Sequence, residues 1–239
     1  QARAVDGTPF FLYLALASPH TPTVPTPEFV GRTQTNPYGD FVAQVDATVG
    51  DILNTLDALR ISRDTLVVFT ADNGCSPAAN LGELRRFGHD PSAGFRGHKA
   101  DLFEGGHRVP FLVRWPAEVP AGSTCSRLVG QLDLLATLAD ILGQRLPGYA
   151  AEDSISFLPL LRGDKPATTA RTTLVAHSAE GRFSIRDGRW KLLLWPGSGG
   201  WSAPTPSPSQ WLKVERTDLA TLPPFQLYDL SADPAETAN

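Results

Sequence analysis

The triplet Asp72-Asn73-Gly74 closes an apolar run, Thr65-Leu66-Val67-Val68-Phe69-Thr70, and a lysine comes back further along in Gly97-His98-Lys99-Ala100-Asp101. A carboxylate beside an amide carbonyl is a hard oxygen donor pair of the kind Ca²⁺ takes. A lysine supplies a compact charge with rotatable donors, suited to a tetrahedral oxyanion. Together they suggest an anion held against a metal. Alone, Asp-Asn-Gly reads first as a turn, because all three residues favour turns and Asn-Gly tolerates positive φ. His20, in Ser18-Pro19-His20, adds a group able to act as a general acid near neutral pH, although a single loop histidine is more often simply solvated.

The elements that must position these groups follow from hydrophobic pattern. Thr65 to Thr70, β-branched and aromatic and bounded by turn residues, reads as a buried strand with the acid-amide pair at its carboxyl end. In open α/β sheets that edge is where ligands bind. Pro9 to Ala17 reads as a central strand delivering His20 to a sheet edge, followed by a proline-rich extended loop from Thr21 to Pro27. From Tyr38 to Leu59, Val42, Val45, Val49, Ile52, Leu53, Leu56 and Leu59 form the stripe of an amphipathic helix facing a sheet. Strand, helix and strand in that order predict a βαβ crossover with parallel strands. Asp40 and Asp46 lie on this helix and need only a dipole partner or a solvated face to explain them. The polar stretch Gly82 to Gly97 reads as a long loop on the rim of the site.

Val109 to Trp115 is the next expected strand, and Leu128 to Leu142, stopped by Gly143, a covering helix whose Asp133 is accounted for by the helix dipole. Beyond Gly163 the pattern changes. Short runs at Thr172–His177, Arg182–Arg186, Trp190–Trp195 and Gln226–Leu230, separated by turn residues and by an irregular Pro/Ser/Gly stretch from Pro196 to Pro224, predict an antiparallel meander and a boundary near residue 165. His177 and the tryptophans of this region could stack on a sugar, but core or hairpin packing is the commoner fate of such residues.

Several ordered motifs carry a resemblance. Lys99, then Glu104-Gly105-Gly106, then Arg108-Val109-Pro110 resembles the Lys-x4-Glu-Gly-Gly-x-Arg-x-Pro signature of the type I, formylglycine-dependent sulfatases. Pro9 to Leu14 leading into Ser18-Pro19-His20, Leu227-Tyr228-Asp229-Leu230, and Asp233-Pro234-Ala235-Glu236-Thr237 match in the family's order. The resemblance implies an alkaline-phosphatase-like α/β fold: a three-layer sandwich with a mainly parallel central sheet, residues 1–165 forming the carboxyl-terminal half of the catalytic domain and 166–239 a small antiparallel subdomain. It implies Ca²⁺ with Asp72 and Asn73 as ligands, His20 and Lys99 as catalytic and substrate-binding residues, an aryl or carbohydrate sulfate ester as substrate, and a periplasmic or secreted location.

The departures are equally specific. The family's Cys-x-Pro-x-Arg or Ser-led run, whose first residue becomes formylglycine, has no counterpart: Cys75-Ser76-Pro77-Ala78-Ala79 ends in alanine, so Cys75 reads as a loop or packing cysteine. The paired aspartates of the family's first strand are also missing, so the chain reads as an incomplete sulfatase. The Asp-Asn pair and the small number of histidines, 5 in all, favour one hard metal over the paired metals of a phosphoesterase of the same superfamily, which is the alternative. A noncatalytic sulfated-glycan binding protein is a third reading. The net charge of −4 gives no electrostatic footprint for nucleic acid, no apolar run reaches a membrane span, and Cys75 and Cys125 are too few for a disulfide framework.

Overall fold

The computed structural model describes residues 8–163, 170–206 and 212–239. The expected helix is present as α1, Pro37–Ala58, with Asn36 as its N-cap accepting from the Gly39 amide and Pro37 in the first turn, where a missing N–H costs nothing. Its stripe is only partly covered. Leu56 is buried, whereas Val42 is exposed. Asp40 does more than face the helix dipole: its buried carboxylate accepts from Gly31 N (2.6 Å), Thr33 N (2.8 Å) and Thr33 Oγ1 (2.7 Å), folding the preceding loop onto the first turn. Burial alone would raise its pKa, but these hydrogen bonds outweigh it and hold the carboxyl below its ordinary value.

Strand β1, Val67–Thr70, forms where predicted, and β2, Phe111–Arg114, pairs with it antiparallel, Val67 opposite Arg114 and Thr70 opposite Phe111. This corrects two local expectations. Pro9 to Ala17 carries no regular secondary structure, and Phe10 to Leu14 are exposed, so no parallel β-α-β pairing forms among the described residues. A strand exists only through its ladder, and no described segment pairs with this run. β1 itself is half-buried instead of buried, because β2 is the one neighbour it has among those residues. The accessible surface of 14829 Å² exceeds the roughly 10,000 Å² of a compact chain of this length, consistent with these uncovered apolar faces.

The polar stretch after β1 is not all loop. Pro77–Ala79 is a 3₁₀ turn started by Ser76, and α2, Leu81–Arg86, follows, packing Leu81 and Leu84 with Ala79, Tyr38, Cys75 and Leu212. A one-turn helix, α3, spans Glu104–His107. The covering helix is shorter than predicted, a 3₁₀ turn Gln131–Asp133 running into α4, Leu134–Ile141, and α5 covers Leu158–Arg162. Asp133 is buried, accepts from Gly130 N and Ile155 N (2.8 Å each) and is gripped from both sides by Arg171, Nε to Oδ2 at 2.9 Å and Nη2 to Oδ1 at 2.6 Å. A helix-dipole role understates it.

The antiparallel meander is found in order: β3 Thr173–His177, β4 Phe183–Asp187, β5 Trp190–Leu193 and β6 Gln226–Asp229. β4 and β5 turn through Gly188-Arg189, with Gly188 at φ +55°, the positive φ that a tight hairpin requires. The expected boundary at 165 lies outside the described residues. His177 pairs with Phe183 across the sheet in an edge-on ring contact (6.2 Å), the packing role expected of it. Leu193, Tyr228 and Leu230 of the sheet region form one core cluster with Leu102 and Phe103. Those last two immediately follow Lys99 to Asp101, so burying them, worth roughly 1.5–3 kcal/mol per side chain, pins the lysine loop to the carboxyl-terminal sheet.

Candidate functional site

Three of the residues singled out from sequence share one backbone unit. Gly74 N donates to Gly106 O and Lys99 N donates to Cys75 O, both at 3.0 Å, so the Asp72-Asn73-Gly74 turn, the lysine loop and the Glu104-Gly105-Gly106 turn are hydrogen-bonded together. The glycines make this approach possible. A Cβ on Gly74 would lie 1.7 Å from Gly105 O, one on Gly105 2.2 Å from Gly97 O, and one on Gly106 2.4 Å from Asp101 O. Backbone meets backbone here, and no side chain can give way. Gly74→Ala is therefore expected to destabilise the fold by about 2–3 kcal/mol, the upper end for overpacking, in urea-induced unfolding. A loss below about 0.5 kcal/mol, the usual scale of a neutral surface change, would show that the turn can move away.

Asp72 is exposed, and its Oδ1 accepts only the amide of Asn73 (3.0 Å). Asn73 donates Nδ2 to Gly74 O (3.0 Å), which leaves its carbonyl oxygen for another partner. Both oxygens are hard donors with no ion pair among the described residues, and they fit Ca²⁺. They would fill only part of its shell of six to eight oxygens, and the described residues hold no cluster of three or more His, Cys, Asp or Glu able to hold a metal. Lys99 is half-buried, and its ammonium has no hydrogen-bond or ion-pair partner among the described residues. A cation held on a fixed backbone with its head free is what an anionic ligand requires. His20 stands apart. It is exposed, its amide donates to Ala17 O (3.1 Å), and its ring meets only Thr21.

The loop carrying Lys99 is tightly held. Ala100 sits at φ +85°, a strained conformation for alanine, while its carbonyl accepts from Ala179 N (3.0 Å) and Gly200 packs against it. Asp101, fully buried, accepts from His98 N (2.8 Å) and, across to the 198–205 loop, from Trp201 N (2.8 Å), Ser202 N (3.0 Å) and the Ser202 hydroxyl. Glu104 is buried among cations: Lys191 at 3.0 Å, Arg108 at 2.7 Å and Arg186 at 3.4 Å. Burial would raise its pKa, but these charges, Lys191 foremost, hold it below the ordinary carboxylate value. Neither Asp101 nor Glu104 was picked as a site residue from sequence. The available signal was the motif itself, which contains Glu104, and acidic residues adjoining a candidate lysine.

Cys75 packs with Ala79, Leu81 and Leu84, and burial pushes its thiol pKa up, which disfavours the thiolate a nucleophile needs. The packing role expected for it holds. Burial also depresses the histidines beside the lysine loop, and Lys191 depresses His107 further, to about 4 from an ordinary 6.5; its Nε2 is buried without a partner among the described residues. Because these bases are kept neutral in the folded state, the stability they carry is full above the unfolded pKa and is lost as pH falls from 6.5 toward 4. Unfolding free energy should thus decline over that window, and the decline should be shallower in a His107→Leu variant. Identical slopes in urea titrations across the series would contradict the assignment.

The sulfatase family model matches residues 1–144, and the model for the carboxyl-terminal region of N-sulphoglucosamine sulphohydrolase matches residues 97–198. The chain is 38% identical over 236 residues to an N-acetylgalactosamine-6-O-sulfatase of Bacteroides thetaiotaomicron, covering 97% of this chain and 43% of that protein. It is 36% identical over 240 residues to arylsulfatase A of Bos taurus, covering 98% and 45%. The chain thus spans less than half the length of either relative. Among solved structures, a chain described with glycosaminoglycan metabolism in Bacteroides thetaiotaomicron superposes with a TM-score of 0.80 at 36% identity, over 97% of this chain and 46% of that one. A Pseudoalteromonas sulfatase superposes equally well, TM-score 0.80 at 23% identity, over 100% and 45%, which supports the fold. The architecture is α/β, alkaline-phosphatase-like, with an antiparallel sheet at its carboxyl end. With a family match over more than half its residues, the chain belongs to the sulfatase family.

Proposed function

We propose that the whole protein is a sulfuric ester hydrolase that removes sulfate from an aryl or carbohydrate sulfate ester, and that this chain supplies the cation-lined side of its site. The observation that carries the reading is the backbone unit joining Asp72-Asn73 to Lys99 through Gly74–Gly106 and Cys75–Lys99 hydrogen bonds. Asp72 and Asn73 would contribute carboxylate and amide oxygens to Ca²⁺, which when bound supplies fixed positive charge for the non-bridging oxygens of the sulfate. Lys99 binds one of those oxygens and stabilises charge as it builds in the transition state. His20 binds the ester oxygen and, protonated, gives its proton to the departing alkoxide or aryloxide. The glycosaminoglycan setting of the Bacteroides relative supports a carbohydrate ester over a simple aryl one. The nucleophile belongs to a segment outside these residues, since no Cys- or Ser-led x-Pro/Ala-x-Arg run occurs in them.

The test compares 4-nitrophenyl sulfate with 4-nitrophenyl phosphate on the whole protein. Sulfate turnover should exceed phosphate turnover; the reverse would favour the phosphoesterase reading, and sulfated-glycan binding with no turnover would favour a binding protein. Residues 1–239 alone should hydrolyse no sulfate ester, because an ester held without a nucleophile in line has nothing to attack it. Turnover from that piece would overturn the assignment of roles.

A further inference from the structure

The motif Asp233-Pro234-Ala235-Glu236-Thr237 follows the last strand of the sheet. Glu236 is fully buried, far from any solvent that would excuse a charge there. Its Oε2 accepts the amide of Glu104 at 2.6 Å, and Lys191, itself only 3% exposed, lies 3.0 Å from both Glu236 Oε1 and Glu104 Oε1. Burying an ammonium between two carboxylates costs several kcal/mol per ion before their attraction repays it, so an apolar cluster would serve stability as well or better. What the ions provide and leucines would not is a fixed position for one backbone amide.

That amide opens the Glu104-Gly105-Gly106 turn. The Glu236 carbonyl meanwhile accepts from Arg96 Nη1 (2.8 Å), and the carbonyl of Arg96 accepts from Gly105 N (2.7 Å), so Glu236 grips the turn directly and through its neighbour. The Arg96 guanidinium lies 3.9 Å over the Phe103 ring, which closes the same circuit. Gly106 O then receives Gly74 N, and Cys75 O receives Lys99 N, each at 3.0 Å. Beyond the side-chain bonds of Glu236 and Arg96, the path to the proposed metal pair and to the anion-binding lysine runs through backbone hydrogen bonds, with glycine contacts too close to yield.

From this geometry we infer that Glu236 and Lys191 are positioning residues: acting through Glu104 and the Gly105-Gly106 turn, they set where Asp72, Asn73 and Lys99 stand. The inference rests on the sulfatase reading for what the site does, whereas the backbone linkage it describes is independent of that reading. Misplacing a reacting group by about 1 Å costs on the order of 10²-fold in rate, so the effect should appear in kcat.

The experiment uses the whole protein and 4-nitrophenyl sulfate, with Glu236→Ala, Glu236→Gln and Lys191→Met. Glu236→Ala should lower kcat by about 10²-fold while KM changes far less, and Glu236→Gln, whose amide oxygen still accepts from Glu104 N but whose NH₂ then faces the Lys191 ammonium, should recover part of the loss. Amide hydrogen exchange supplies a readout free of turnover: protection at Gly74 and Lys99 should fall by roughly tenfold or more in Glu236→Ala while protection within β1 is kept. If Glu236→Ala does not fold, Lys191→Met carries the same exchange prediction. Equal loss of protection in β1 and at the site would mean general destabilisation and would overturn the inference, as would unchanged exchange at Gly74 and Lys99. A wild-type protein that leaves 4-nitrophenyl sulfate intact would defeat the sulfatase reading, and the exchange pattern would still decide this one.

Discussion

Lys99→Ala should lower kcat/KM for a sulfate ester by at least ~10²-fold in the whole protein, the scale expected when one charge partner of the transition state is removed. The structure gives the reason to expect so clean a result. Lys99 is held by its backbone, through the Cys75 carbonyl, and its ammonium makes no bond among the described residues that folding would miss. Thermal stability should therefore hardly change while turnover collapses. Asp72→Ala should instead weaken metal retention, since it removes the one charged member of the proposed pair. Glu152→Ala, at an exposed residue outside the motifs, serves as the control. Turnover of Lys99→Ala within about threefold of wild type, too little for a lost transition-state contact, would remove Lys99 from the site.

The largest expected loss of stability is at the other end of the chain's charge inventory. Arg171→Met leaves Asp133 buried with its Gly130 and Ile155 amide bonds but without a counter-charge, and breaking a buried pair in this way typically costs ~3–5 kcal/mol. Burial pulls the Asp133 pKa upward, and the Arg171 fork and the amides more than reverse it, so the carboxyl lies below its ordinary value in the fold. A depressed acid contributes stability that is complete above the unfolded pKa and lost as pH falls through the folded one. The wild type should accordingly lose stability in acid on this account, and Arg171→Met should show less of that acid dependence together with a lower plateau near neutrality. A plateau within about 1 kcal/mol of wild type would mean that the pair is not a structural tie.

What the sequence disclosed depended on how local the cause was. The helix from Asn36 onward, β1, β2 and the four-stranded meander were legible because periodicity, caps and turn glycines act within a few residues. The placement of Pro9 to Ala17 was not legible, since an aromatic apolar run becomes a strand only if a neighbour pairs with it, and none of the described residues does. Asp72, Asn73 and Lys99 could be brought together on paper by motif alone, but the turns that carry them are joined because Gly74, Gly105 and Gly106 have no side chains, a fact of packing. Asp133 and Glu236 were under-read for the same reason. Their partners, Arg171 and Lys191, lie far along the chain, and no spacing rule links them.

The bonds of Asp101 bear on how such enzymes can be recombined. Its carboxylate joins the lysine loop to Trp201 and Ser202, while Glu104 beside it is tied to Lys191 and to Glu236. A chimaera that takes its amino-terminal portion from one parent and its carboxyl-terminal sheet from another, with the crossover between α5 and β3, would separate both carboxylates from the partners they were shaped with. Crossovers that transfer residues 97–108 together with 186, 191, 198–205 and 226–236 keep each buried acid with its own donors. Parental blocks for library construction are thus defined by these contacts, and they do not coincide with the apparent division between the α/β portion and the sheet.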